Sequence, residues 1–212
     1  MICHRLLLNL ALMFGVLMFS VPSRAEDTLY DLMQRMQTKA AVRIAYTETR
    51  SLELLDSPWL GSGYLYSLPP DLMLKQQLQP ERVLMAVQGQ KLFYFDPNQD
   101  IRRQAELDID NPLTLNLAVF KALVGGDEAL LYKIYRVDFN AQEQGWMMTL
   151  KSKRSSDSDF RIVISGPAGQ QAESLVITQA DGDSSRFTLR QDAEGAEVAS
   201  EVTHLLEELL GK

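Results

Sequence analysis

The stretch RVLMAVQGQKLFYFDP, residues 82–97, indicates how this chain folds. Its two halves, Arg82–Val87 and Lys91–Phe95, are short runs in which apolar side chains recur as they do in β-strands. Gln88-Gly89-Gln90 is a tight connection between the two runs, and Asp96-Pro97-Asn98-Gln99 is a turn after the second. The stretch therefore predicts an antiparallel hairpin.

Runs of the same kind lie on both sides of this hairpin. Outside it, the predicted strands are Val42–Thr47, Gly63–Leu68, Leu72–Leu78, Ile134–Phe139, Trp146–Lys151, Arg161–Ser165, Glu173–Gln179 and Arg186–Arg190. Glycine-rich or acidic turns join several of them. Short strands at regular spacing, joined by such turns, are typical of an antiparallel meander.

Three segments have helical spacing instead. In residues 29–36 apolar side chains recur at i, i+3, i+4 and i+7, with Asp27 or Thr28 as the candidate N-cap. Leu113–Val124 is the second helix, and an apolar stripe from Val198 to Leu209 indicates a third at the C-terminus. Together these patterns predict an α+β fold class that is mainly antiparallel β.

The N-terminus has the pattern of a cleavable signal peptide. Arg5 precedes an apolar run from Leu6 to Val21, and small residues, Ser23 and Ala25, follow it. The run is shorter than the ~20 residues of a membrane span, which disfavours an anchor. We expect cleavage after Ala25, so that residues 1–25 are the signal peptide and residues 26–212 form a single domain in the periplasm.

Composition excludes several classes of function. The chain carries a net charge of −7, which disfavours nucleic acid and anionic membrane surfaces as main partners. Its single cysteine is Cys3, so the expected mature protein has no disulfide and no thiol chemistry. We expect that protein to be a monomer.

Motifs for catalysis or metal binding are not apparent in the sequence. His204 is the one histidine outside the expected signal peptide, so a histidine-based triad or zinc site is not expected. Residues 96–107 resemble a calcium loop only loosely, because Ile101 and Leu107 occupy positions that need Gly and Glu. We therefore predict a protein that is not an enzyme and uses no metal or cofactor.

Two stretches resemble a known family. Ser62-Gly63-Tyr64-Leu65-Tyr66-Ser67-Leu68-Pro69-Pro70-Asp71-Leu72 and Gln88-Gly89-Gln90-Lys91-Leu92-Phe93-Tyr94-Phe95-Asp96-Pro97 are similar to two hairpins of the periplasmic outer-membrane lipoprotein carriers, the LolA-like family. The order of helices and strands around them agrees over roughly residues 29–190. This resemblance implies an open, strongly curved antiparallel sheet, an incomplete β-barrel, with helices lying as a lid over its concave face.

The resemblance also implies a function. Members of the family carry the acyl chains of lipoproteins from the inner to the outer membrane, so we expect an acylated lipoprotein or other lipid cargo, an inner-membrane donor complex and an outer-membrane acceptor. The predicted lid helices are Leu29–Met36 and Leu113–Val124. The predicted cargo-binding residues are Val42, Ile44, Tyr46, Leu65, Leu74, Met85, Val87, Phe93, Phe95, Phe120 and Leu123.

Two features depart from the lipoprotein carriers and indicate a divergent branch. Family members have an arginine associated with holding the lid shortly after the first hairpin, where this chain has Met73-Leu74-Lys75. Lys75 can supply a point charge there, without the planar fork of an arginine, and is our candidate for lid control. The terminal helix also replaces the family's C-terminal extension.

One alternative function uses the same fold. A half-barrel that binds lipid or protein can report misplaced lipid or protein to a membrane regulator rather than carry it. The assignment of side chains to the cavity also depends on strand register, since a shift of one residue moves every side chain to the other face.

Overall fold

The computed structural model describes residues 28–53, 56–106, 112–153 and 159–212, with the side chains of residues 112–118 excepted. The expected signal peptide and its cleavage site at Ala25 lie outside these residues. The division into residues 1–25 and 26–212 therefore remains a prediction.

Eleven strands and four helices form the described structure. The helices are α1 (Leu29–Met36), α2 (Pro112–Gly125), α3 (Glu128–Ile134) and α4 (Ala196–Leu210). The strands are β1 (Val42–Ser51), β2 (Trp59–Leu68), β3 (Leu72–Gln79), β4 (Val83–Gln88), β5 (Lys91–Asp96), β6 (Ile101–Glu106), β7 (Tyr135–Gln142), β8 (Gly145–Ser152), β9 (Arg161–Pro167), β10 (Ser174–Thr178) and β11 (Ser184–Glu194).

All the strands belong to one open antiparallel sheet. Their order is β6-β5-β4-β3-β2-β1-β11-β10-β9-β8-β7, so β1 pairs with both β2 and β11. Two meanders, β1–β6 and β7–β11, are thereby joined through the first strand and the last. The α+β fold class and the open antiparallel sheet are confirmed.

The sheet curves around a narrow space. Strands in a sheet lie about 4.8 Å apart, so a flat sheet would separate β3 from β9 by about 24 Å. Yet Met73 on β3 and Ile164 on β9 both line the same small cavity. The sheet therefore has a concave face, and the helices that cover it bring side chains from both meanders into one cluster.

Helix α1 begins at a capping box. The Thr28 hydroxyl accepts a hydrogen bond from the backbone N–H of Asp31 (3.2 Å), and the Asp31 carboxylate accepts one from the backbone N–H of Thr28 (3.1 Å). Thr28 is thus the N-cap. The apolar side chains spaced i, i+3, i+4 and i+7 are all buried, as predicted, and they face the sheet's concave side.

Helix α4 lies on the opposite, convex face, over β1–β5. Its apolar stripe of Val198, Val202, Leu205 and Leu209 is buried in a second cluster with the outward-facing side chains of those strands. Ion pairs from Arg43 to Glu201 (2.8 Å) and from Arg82 to Glu208 (2.5 Å) fasten the helix to β1 and to the start of β4. Both faces of this part of the sheet are therefore covered.

Two elements differ from the sequence prediction. Ile134 ends α3, a helix that begins after its N-cap Asp127, rather than opening a strand. β6 was also not predicted, because five of its six residues are exposed and it has no buried apolar stripe. It pairs with β5 through the backbone alone, from Lys91↔Glu106 to Asp96↔Ile101.

Candidate functional site

An apolar cavity lies between the concave face and the helices α1 and α2. Its free volume is about 40 Å³, room for roughly three water molecules. Its apolar walls come from Met36 on α1, from Phe120, Leu123 and Val124 on α2, and from strands on both sides of β1. These strand residues are Val42, Ile44, Leu65, Met73, Ile164, Leu175 and Leu189.

Eight of the eleven predicted cargo-binding residues lie on the concave side. Val42, Ile44, Leu65, Phe120 and Leu123 line the cavity itself, and Tyr46, Met85 and Val87 belong to the apolar cluster around it. The structure thus brings together residues from β1, β2, β4 and α2. Their role in binding cargo is a proposal, taken up below.

The other three, Leu74, Phe93 and Phe95, lie on the convex side under α4. The reason is that α4 covers this part of the sheet from outside, so neighbouring residues such as Leu72, Met73 and Leu74 are all buried. Apolar side chains then occupy both faces, and the alternation that distinguishes the faces in a half-exposed strand is lost. Met73, adjacent to Leu74, is the cavity residue that the prediction missed.

A second, more polar cavity adjoins the first; we call it the vestibule. It has a volume of about 360 Å³ and lies between the end of α1, the β2–β3 turn and the facing ends of α2 and α3. Thr38, Ser67, Met73 and Val124 line both cavities. The Thr38 and Ser67 hydroxyls share a hydrogen bond of 2.9 Å at this boundary.

An ion pair crosses the vestibule from α2 to the β2–β3 turn. The Lys121 ammonium lies 2.5 Å from the Asp71 carboxylate and donates a hydrogen bond of 2.6 Å to the carbonyl of Gly89. Asp71 in turn accepts a hydrogen bond from the Gly89 N–H (2.8 Å). These contacts hold α2 to two hairpin turns, β2–β3 and β4–β5.

A buried ionic cluster lies further along the concave face. Glu48, 2% exposed, continues the stripe of alternate β1 residues that faces the cavity. Its carboxylate is 3.0 Å from the Lys75 ammonium and 2.5 Å from Nε of Arg50. Burial lowers the pKa of Lys75, and the nearby charge of Glu48 opposes that effect. Sequence analysis missed Glu48, although its spacing from Tyr46 on β1 marked the position.

Gly63 provides the space that lets these charges meet. In the sheet register it lies between Tyr46 on β1 and Gln77 on β3, and it has no side chain to fill the concave face there. A Cβ on Gly63 would overlap the carbonyl of Gln76, where β2 has a bulge. Lys75 therefore reaches from β3 to Glu48 on β1.

Lys75 is connected to the lid through an aromatic ring. Its ammonium lies 4.9 Å from the ring centre of Tyr46 and 5.3 Å from that of Phe187, both within cation–π range. Phe187 meets Phe120 of α2 edge-on, with centroids 5.6 Å apart. The predicted lid-control residue thus touches the sheet side of the contact between the lid and the sheet.

Two tyrosine hydroxyls on the concave face have no hydrogen-bond partner, those of Tyr46 and Tyr135. Burial raises the pKa of both phenols, so they remain protonated and able to donate. Within the described part of the chain no group of His, Cys, Asp and Glu side chains is arranged to hold a metal ion. Nor is any helix in those residues long and apolar enough to span a membrane.

Comparison with known proteins identifies the family. The model of the family described as outer membrane lipoprotein carrier protein LolA-like matches residues 21–205. No curated protein sequence matches the chain significantly.

Solved structures with a similar fold include a LolA superfamily protein from Nitrosomonas europaea, 10% identical, with a TM-score of 0.46 over 79% of this chain and 92% of that one. A putative outer membrane lipoprotein-sorting protein domain from Vibrio parahaemolyticus is 12% identical, with a TM-score of 0.44 over 84% and 96%. The lipoprotein LppX from Mycobacterium tuberculosis is 12% identical, with a TM-score of 0.37 over 76% and 93%. With its family match over residues 21–205 and its open antiparallel sheet, the chain belongs to the LolA-like family of outer membrane lipoprotein carrier proteins, a binding and carrier fold.

Proposed function

We propose that this protein is a periplasmic carrier that holds the acyl chains of lipoprotein or another lipid cargo between its sheet and its helices. It would receive this cargo from an inner-membrane donor complex and deliver it to an outer-membrane acceptor. The observation that supports the proposal most directly is the apolar cavity, which has strands of both meanders as its floor and the helices α1 and α2 as its cover.

The volume of the cavity implies that this is the closed, empty form of such a carrier. Ligand sites commonly have volumes of about 300–1,000 Å³, whereas the space here is about 40 Å³. Met36, Phe120 and Leu123 occupy the place that a chain would take. Binding would therefore require α1 and α2 to move away from the sheet.

Such a movement exchanges one set of apolar contacts for another. Phe120 now packs on Phe187, and in the loaded form both rings would pack on the acyl chain instead. Little apolar surface would then be exposed on balance, so opening and loading can be close in free energy. A lid with this property can release its cargo as well as bind it.

Cargo of this kind needs a carrier to cross water. Exposing an acyl chain of ~16 carbons costs about 0.8 kcal/mol per methylene, more than ~12 kcal/mol in total. Recovering all of this in the complex would give nanomolar affinity, too tight for rapid delivery. A part of it must therefore be used to open the lid.

Lys75 is our proposed lid-control residue. It contacts Phe187, whose other side meets Phe120 on the lid, and the ion pair with Glu48 fixes its position. Displacing Phe120 would change the environment of the Phe187 ring and so of the Lys75 ammonium. The charge would favour the closed packing through the ring face.

A disulfide lock tests the proposal. The Thr38 and Ser67 hydroxyl oxygens are 2.9 Å apart, so cysteines at both positions place two sulfurs within bonding reach. The bond would hold the end of α1 to β2, and also α2, because the Thr38 N–H donates to the carbonyl of Val124 (3.2 Å). Cys3→Ser in the same gene prevents mispairing.

We expect the oxidised T38C/S67C protein neither to bind a fluorescent fatty-acid probe nor to speed transfer of labelled lipid between two vesicle populations. Reduction with dithiothreitol should restore both, and each single-cysteine variant serves as a matched control. Uptake that is equal in the oxidised and reduced forms would show that these helices are not a lid. Absence of any bound lipid after purification from the periplasm, with no probe uptake by the unmodified protein, would contradict the carrier function itself.

A further inference from the structure

The vestibule is more polar than an acyl-chain site requires, and its position beside the apolar cavity suggests a use. Resting on the proposed function, we propose that the vestibule receives the polar end of an amphiphilic cargo, and that this end is uncharged and hydrogen-bonding: a glyceryl, sugar or amide group joined to the acyl chain rather than a phosphate.

The two cavities meet without a strand between them. Thr38, Ser67, Met73 and Val124 are part of both linings, so an acyl chain lying against Met73 would have its polar end at the Thr38–Ser67 pair. The vestibule, at about 360 Å³, has the volume of a small-molecule site as it stands. It therefore needs less rearrangement than the apolar cavity to accept its part of the ligand.

The charges of the vestibule disfavour an anion. Its described lining has one cation, Lys121, and two carboxylates, Asp71 and Asp127, a net charge of −1. The Lys121 ammonium is already engaged by Asp71 at 2.5 Å. Phosphate is normally bound by unengaged Arg and Lys side chains, and a phosphate here would have to displace the Asp71 carboxylate while close to a second one.

The helix terminus in the vestibule is also closed to an anion. A helix N-terminus attracts phosphate through its free backbone N–H groups. At the start of α3 this role is filled by Asp127, whose carboxylate accepts the N–H of Leu130 (2.9 Å). The negative charge that the helix favours is supplied by the protein itself.

The boundary between the cavities has groups suited to a neutral polar end. Ser67 is only 6% exposed, and its hydroxyl now bonds that of Thr38. Each hydroxyl can donate and accept, so the pair can open to bind an ester carbonyl, a hydroxyl or an amide of the cargo. The Gln37 side chain, also in the lining, offers both a donor and an acceptor.

This chemistry has two sources, a free neutral lipid and the acyl-glyceryl end of a lipidated protein. The test compares three probes with palmitoyl chains: monopalmitoylglycerol, a peptide with an N-terminal dipalmitoyl-glyceryl cysteine, and palmitoyl lysophosphatidic acid. Each competes with a fluorescent fatty-acid probe for the full mature protein at neutral pH. Monopalmitoylglycerol and lysophosphatidic acid have the same chain and glycerol, and differ in the phosphate.

We expect at least one neutral probe to compete about tenfold more strongly than lysophosphatidic acid. Which neutral probe binds more strongly distinguishes free lipid from lipoprotein as the source. Equal or stronger competition by the phosphate would overturn the inference while leaving the carrier function intact. If the fluorescent probe itself fails to bind, it is the carrier function that fails.

Asp71→Asn provides a second measurement. It leaves the Lys121 ammonium without its carboxylate partner, so affinity for lysophosphatidic acid should rise severalfold while that for monopalmitoylglycerol stays the same. Asp181→Asn, which removes a charge from the exposed β10–β11 turn, is the matched control. An Asp71→Asn protein that is folded, as judged by its thermal unfolding, and gains no affinity for the phosphate would contradict the proposed role of this ion pair. The comparison of probes on the unmodified protein stands independently of this variant.

Discussion

The Lys75 ammonium lies 3.0 Å from the Glu48 carboxylate on the concave face, where 1% of the Glu48 side chain is exposed. Placing charges in such a setting costs free energy that their attraction must offset. Arg50 contributes a second contact to the same carboxylate, at 2.5 Å, and the ring of Tyr46 lies beside the ammonium. An inert apolar wall would not need this arrangement, which is why we associate it with the lid.

The ion pair gives a prediction for stability. Lys75→Met leaves Glu48 buried with Arg50 as its remaining charged partner, and we expect the free energy of unfolding to fall by about 3 kcal/mol, the lower end for breaking a buried pair. Adding Glu48→Gln removes the uncompensated charge and should recover a part of this loss. Urea denaturation of both variants measures the effect.

Lys91→Met is the matched control, since Lys91 is an exposed lysine on a neighbouring strand of the same sheet. It should change the free energy of unfolding by less than about 0.5 kcal/mol. A Lys75→Met variant no less stable than this control would show that the Glu48–Lys75 pair contributes nothing measurable.

The contact between Phe120 and Phe187 gives a prediction for the rate of uptake. Phe120→Leu removes an aromatic pair that closes the lid, worth about 1 kcal/mol. We therefore expect faster uptake of a fluorescent fatty acid in stopped-flow experiments, by about fivefold, together with slightly lower stability. Phe160→Leu removes a ring from the same cluster, one that stacks on Tyr135, and should lower stability without speeding uptake. Equal uptake rates in the two variants would contradict a lid role for Phe120.

Met73 and Leu74 are adjacent, both buried, and lie on opposite faces of β3. Each change to alanine should lower the free energy of unfolding by about 2–5 kcal/mol. Only Met73→Ala should also weaken binding of the acyl probe, by about fourfold for a lost contact equal to one methylene. The measurement is a titration corrected for the folded fraction. Weaker binding in Leu74→Ala alone would mean that the faces are reversed.

The Arg82–Glu208 pair, which fastens α4 to the convex face, gives a prediction for pH dependence. The hydrogen bond from Arg82 lowers the pKa of Glu208 from its ordinary value of 4.5. Its contribution to stability is therefore complete above pH 4.5 and is lost as the pH falls through the lowered value. Because both side chains are about one-third exposed, we expect Glu208→Gln to cost at most about 1 kcal/mol at pH 7.

Denaturant unfolding at pH 7 and pH 3 should show this difference between Glu208→Gln and the unmodified protein becoming smaller in acid. Glu207→Gln removes a charge one residue earlier without breaking the Arg82 pair, and should change the free energy of unfolding less. A difference that is larger at pH 3 than at pH 7 would contradict the assignment of the pKa shift to the ion pair.

Local patterns predicted α1 and α4 well because each helix buries one stripe and exposes the rest. The hairpin of residues 82–97 was equally predictable, since its turn at Gly89 requires a positive φ, 62° in the structure. β6 was not, because an exposed edge strand needs only its backbone to pair. Nothing in its side chains distinguishes such a strand from a loop.

The sequence by itself determined the strands and helices, their order, and the family to which this fold belongs, because periodicity and turn residues act over a few positions. Only the tertiary structure decided which face of each strand meets the cavity, since α4 buries the convex side and removes the alternation that would mark it. It also decided that Glu48 and Lys75 meet across Gly63, and that Lys121 reaches Asp71 beside the apolar cavity. Contacts between distant parts of the chain depend on how the sheet curves and where the helices lie on it, which no local pattern contains.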